Sequence, residues 1–91
     1  MAKTCVIVND DIPSEVHIAK TSGTIDIPLK FSNSSATCTA TCDNEQISAK
    51  FSVDHVTIST TFGSPTNGIV TLTPTASGEA SWKTYILVIV E

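Results

Sequence analysis

Hydrophobic and polar side chains alternate along most of this chain. Between residues 24 and 32 the apolar positions are Ile25, Ile27, Leu29 and Phe31, with Asp26, Pro28 and Lys30 interleaved. A period of two places the first set on one face of an extended strand and the second on the other. The same grammar recurs in residues 46–53, with Ile47, Ala49, Phe51 and Val53 in phase, in residues 55–61 with Val56 and Ile58, and in residues 69–73 with Val70 and Leu72. Residues 35–42 alternate Ser or Thr with Ala36, Cys38, Ala40 and Cys42. Residues 3–8, 15–19 and 80–90 are further strand candidates. Polar and Gly/Pro-containing stretches at residues 9–14, 20–23, 33–34, 63–68 and 74–78 supply the turns. Pro28 has no N–H, so its place in a strand must face an edge, a bulge or solvent.

The pattern predicts seven or eight short strands with no helical period between them. A chain of 91 residues holds one domain and one modest core, so residues 1–91 are expected to form a single unit. The fold class expected is all-β, and the strand number and loop spacing favour an immunoglobulin-like Greek-key β-sandwich over a closed barrel. Composition agrees. Hydrophobic residues make up 41% and charged residues only 15%, which is unlike a disordered chain.

Charge narrows the partners. The formal net charge is −4, with five lysines and no arginine. Binding to phosphates needs clustered cations that displace counterions, so neither nucleic acid nor an anionic membrane surface is an expected partner. The apolar run at residues 85–90 is too short to span a bilayer. The first residues lack an apolar stretch of signal-peptide length before Asn9-Asp10-Asp11, which points to a cytoplasmic origin.

Little in the sequence points to chemistry. Three cysteines, Cys5, Cys38 and Cys42, are an odd number for a disulfide framework. On one strand Cys38 and Cys42 share a face but lie roughly 13 Å apart, beyond disulfide reach. They read as small buried hydrophobes. The same spacing argues against a zinc site built from the three thiols and a histidine. Of the two histidines, His17 and His55, only His55 has an acidic neighbour, Asp54, and consecutive strand residues point to opposite faces. No nucleophile elbow and no Gly-rich phosphate cradle is present, so no catalytic residue, metal or cofactor is expected. Asn9-Asp10-Asp11 and Asp43-Asn44-Glu45 are acidic loops of the kind that can ligate calcium, but as solvated turns they need no ion. Trp82 and Tyr85 lie three apart, on opposite sides of a strand, and form no joint platform for a sugar.

The terminal strands stand out. Ile86, Val88 and Val90 take one face while Tyr85, Leu87 and Ile89 take the other, and Val6, Ile7 and Val8 show the same two-sided apolar character. A sandwich strand needs only one apolar face, because the other meets water. Either residues 10–19 cover the second face, or Val6, Ile7, Val8, Tyr85, Leu87 and Ile89 form an interface with another subunit.

Three segments carry a family resemblance: Gly23-Thr24-Ile25-Asp26-Ile27-Pro28-Leu29, Gly68-Ile69-Val70-Thr71-Leu72-Thr73-Pro74, and the closing residues 81–90 after a Gly-containing loop. Together they resemble the immunoglobulin-like domains of tailed-phage virions and bacterial surface proteins. The chain lacks the paired inter-sheet cysteines and core tryptophan of antibody-type domains, which sets it apart from those. The resemblance implies a non-enzymatic virion structural protein, a capsid decoration protein acting through protein–protein contacts. Its implied partners are the major capsid protein or other virion subunits and further copies of itself, and its place is the virion, assembled in the host cytoplasm. The alternative it implies is an adhesion or carbohydrate-binding module of a larger bacterial surface protein.

Overall fold

The computed structural model describes residues 4–9, 12–21, 23–60 and 63–91. Its secondary structure is β throughout, with no helix among the described residues. The strands are β1 (Thr4–Cys5), β2 (Glu15–Ile18), β3 (Thr24–Pro28), β4 (Thr37–Cys42), β5 (Ser48–Ser52), β6 (His55–Ser59), β7 (Thr66–Thr75), β8 (Ala80–Ser81) and β9 (Thr84–Val90). A four-stranded sheet runs β2-β9-β7-β4 and a three-stranded sheet β3-β6-β5, while β1 and β8 form a short parallel pair. Within the larger sheet β2 is parallel to β9, and the other neighbours are antiparallel.

Alternation decides which side chains turn inward. Val16 and Ile18 of β2, Val70 and Leu72 of β7, and Ile86, Val88 and Val90 of β9 are buried in one cluster with Ile27, Val56 and Ile58 of the smaller sheet. Leu29 and Ile47, just beyond their strands, join them, and Phe31 meets Phe51 edge to face at 5.8 Å between ring centroids. The two sheets thus share one apolar interior, the arrangement of a β-sandwich.

The strand boundaries differ from the expected ones where a local pattern was silent. Of the expected strand at residues 3–8, the described residues 4–8 do not form one strand, and Lys3 lies outside the described residues. Thr4 and Cys5 pair with Ala80 and Ser81, and the chain then crosses over, with Ile7 bridging Phe31 just past the end of β3. Asn9 ends that ladder by imitating a backbone unit, its Oδ1 accepting from Lys30 N and its Nδ2 donating to Pro28 O. Pro28 closes β3, and its missing N–H falls on this flank, away from β6.

Val53 was in phase with the core face of residues 46–53, yet it is 86% exposed. Ser52 pairs with His55, so the chain reverses across Val53 and Asp54, and Asp54 N donates to Ser52 O at 2.6 Å. Val53 has φ 51°, an unfavourable backbone for a β-branched residue and one that hairpin turns usually give to glycine.

β7 extends well past the expected residues 69–73 at both ends. Pro74 lies inside it, two residues beyond Leu72, the last β7 residue paired with β9, so its missing N–H costs no ladder bond. Residues 80–90 are divided, with β8 held by β1 and β9 by β2 and β7.

Candidate interaction surface

The surface is built by register. On the outer face of the larger sheet, Tyr85, Leu87 and Ile89 project from β9 between the inward Ile86, Val88 and Val90. Across the ladder, Leu87 lies between Ile69 of β7 and Glu15 of β2, and Ile89 between Asn67 and His17. Tyr85 stands beside Thr71, which in turn faces Thr41. Tyr85 is 59% exposed and Ile69 44%, whereas Leu87 and Ile89 are half-buried by their neighbours. These four side chains form a continuous apolar strip along the middle of the sheet.

Its borders are polar. On one side stand the paired threonines Thr37 and Thr75, Thr39 and Thr73, and Thr41 and Thr71, a ladder of β-branched side chains suited to a wetted sheet face. On the other side His17 sits between two carboxylates, with Nε2 2.7 Å from Glu15 Oε2 and Nδ1 2.5 Å from Glu91 Oε1. Glu91 continues the β2–β9 ladder, its N–H bonded to Ile18 O and its C=O accepting from Lys20 N. At the other end of β9, Lys83 is exposed two residues before Tyr85.

Of the residues expected at an interface, Tyr85, Leu87 and Ile89 therefore lie together. Val6, Ile7 and Val8 do not join them. They run beside residues 30–32, just past β3, with Ile7 packed on the core and Val8 53% exposed. Ile69 belongs to the strip and was missed. Its own strand pattern assigns it outward, and only the register beside Leu87 gives it a partner. Residues 15–18 flank β9 edge-on and leave its outer face open; Asp10 and Asp11 lie outside the described residues.

The hydrogen bonds to Glu15 and then to Glu91 raise the His17 pKa above its ordinary value, outweighing a small desolvation. A histidine whose folded pKa exceeds its unfolded one contributes stability below the unfolded value near 6.5, and that contribution is lost as pH rises through the folded value. Melting temperature should therefore fall from about pH 6.5 upward through the folded His17 pKa, and His17→Gln should flatten that slope. Thermal melts of both proteins across this range check it; equal slopes refute the assignment.

The remaining candidates are placed as follows. His55 Nδ1 lies 3.2 Å from Asp54 Oδ1, contrary to the expectation that they diverge, because the two sit at the hairpin corner and not along one strand. Cys5 is buried, Cys38 and Cys42 are half-buried, and all three thiols are free. Burial raises all three thiol pKa values, that of Cys38 to about 11, so none is poised as a thiolate.

Asp43 Oδ1 accepts from Ile69 N at 2.7 Å, and Asn44 binds Gln46 N, Thr66 Oγ1 and Asn67 O. This acidic loop is a clasp between β4 and β7. Gly68 lets it close, since a Cβ there would meet Asn44 Cβ at 2.9 Å. Among the described residues no three His, Cys, Asp or Glu side chains gather as a metal site would require. Trp82 is 66% exposed near the start of β9.

Comparison of the chain with family models, curated proteins and solved structures finds no match.

Proposed function

We propose that this chain is an immunoglobulin-like Greek-key sandwich serving as a non-enzymatic structural subunit of a virion, a capsid decoration protein of the tailed-phage kind. The observation that carries the reading is the apolar strip Ile69, Tyr85, Leu87 and Ile89, exposed at Ile69 and Tyr85, on an outer sheet face that would otherwise meet water. Such a strip is costly to leave exposed and serves a protein contact. The strand order supports the fold part of the reading. β2-β9-β7-β4 lies against β3-β6-β5, and the chain before β3 supplies both β2 beside β9 and the Ile7 bridge to Phe31 just past β3, an arrangement that fits an immunoglobulin-type plan.

Particles banded from a host that carries the gene test the function. The chain is expected to band with them, and a Leu87→Glu chain to leave the particle fraction while still melting cooperatively. The reading is lost if the wild-type chain is missing from the particles. The exposed indole of Trp82 favours the second reading, a carbohydrate-binding module, and retention on immobilised glycans that Trp82→Ala abolishes would establish that reading instead.

A further inference from the structure

The outer residues of β9 and its two extensions form a polarised sequence. Lys83 is cationic, Tyr85, Leu87 and Ile89 are apolar, and Glu91 is anionic and held by His17. The series runs about 26 Å at about 3.3 Å per residue, with Leu87 at its midpoint. Read in reverse, it is complementary to itself. We infer that the strip is covered by a second copy of this chain, docked face to face with the β9 strands antiparallel about a two-fold axis at Leu87. In that arrangement Lys83 of each copy meets the Glu91 carboxylate of the other, and Tyr85 meets Ile89. Leu87 meets its own counterpart, as an isologous contact requires.

Charge selects the orientation. A parallel pairing would set lysine on lysine and carboxylate on carboxylate, whereas the antiparallel one satisfies both ends at once. His17 adds order, because it fixes the Glu91 carboxylate on the outer face where the incoming Lys83 arrives. The threonine columns and Asn67 supply a polar rim around the apolar centre, the usual anatomy of an interface.

Area sets the strength. Four strands at about 4.8 Å spacing and a length of about 26 Å give two copies on the order of 900 Å² of contact in total, close to the lower bound for a specific interface. The dimer should therefore be concentration-dependent. The pairing rests on the strip being a protein contact, as in the function proposed above. It leaves the outer side of the smaller sheet and the exposed Val8 free for a lattice.

Sedimentation velocity over a micromolar-to-millimolar series tests the pairing. The wild-type chain should pass from monomer to dimer, and Leu87→Glu, which sets like charges on the axis, should remain monomeric. Lys83→Glu alone should weaken the dimer about tenfold, since two end contacts turn repulsive. Adding Glu91→Lys to it should restore most of the loss, because the end charges are then exchanged and not removed. Circular dichroism melts confirm that each variant is folded. A wild-type chain that stays monomeric throughout, a dimer indifferent to Leu87→Glu, or a double variant no better than the single one each overturns the inference. Particle binding is scored separately. A monomer that still bands with particles refutes the pairing and keeps the proposed function, whereas a dimer absent from particles does the reverse.

Discussion

Replacing Gly23 by alanine should destabilise the domain by at least about 3 kcal/mol, which is far more than its single added methyl group suggests. A Cβ at Gly23 would stand 2.4 Å from Ala19 O, 2.5 Å from Ala19 N and 2.8 Å from Ile18 Cβ. The first two are backbone atoms, so no side-chain rotation relieves them. The turn that must move is also fastened on both sides. Gly23 N donates to Ala19 O, Gly23 O accepts from Thr60 N, and the adjoining Lys20 binds Glu91 O and Gly63 N. This turn carries the chain from β2 in one sheet to β3 in the other, and its displacement loosens both. Urea denaturation measures the loss. Gly63→Ala and Gly78→Ala serve as controls: both positions are open but have φ near +80°, so they carry only backbone strain of about 1–2 kcal/mol. A Gly23→Ala protein within 1 kcal/mol of wild type refutes the steric account.

Ile58→Ala should cost about 2–5 kcal/mol, lowering the melting temperature by about 10 °C or more in a domain this small. Ile58 is on β6, the central strand of the smaller sheet, between Ile25 and Ala49, and is wholly buried. Truncation there removes apolar contact and leaves a cavity that three hydrogen-bonded strands cannot collapse to fill. Ile69→Ala removes the same atoms from the outer face and should cost well under half as much, since Ile69 is already 44% exposed. Equal losses at the two sites would mean that the strip is packed as tightly as the core, and the open face described above would be wrong.

Legibility followed the range of the interaction concerned. Inward faces such as Ile25-Ile27-Leu29, Val70-Leu72 and Ile86-Val88-Val90 could be read from the chain, because side-chain alternation is a property of a single strand. The corner at Val53 could not, since no glycine or asparagine marks it and the preceding alternation runs straight into it. Pro74 reads locally as a strand breaker and is tolerated only because β9 begins below it. The candidate surface shows the same division. Tyr85, Leu87 and Ile89 are visible as a surplus of apolar residues on one strand, while Ile69 and the His17–Glu91 contact depend on register between distant segments. Grouping Val6, Ile7 and Val8 with β9 treated likeness of composition as proximity, and the strand crossing after Cys5 separates them.

The parallel pairing of β2 with β9 also sets an order of events in time. Glu15 leaves the ribosome about seventy residues before Leu87, the position it must pair with, and β9 itself fills the place between β2 and β7. Until Thr84–Val90 have been made, the larger sheet is split, and the apolar faces of β2 and β7 have no strand between them. The domain must close after its final strand is synthesised, in one late and strongly non-local step. A nascent chain stalled before β9 should be a protease-sensitive intermediate with exposed strand edges, the form most open to chaperones and to aggregation.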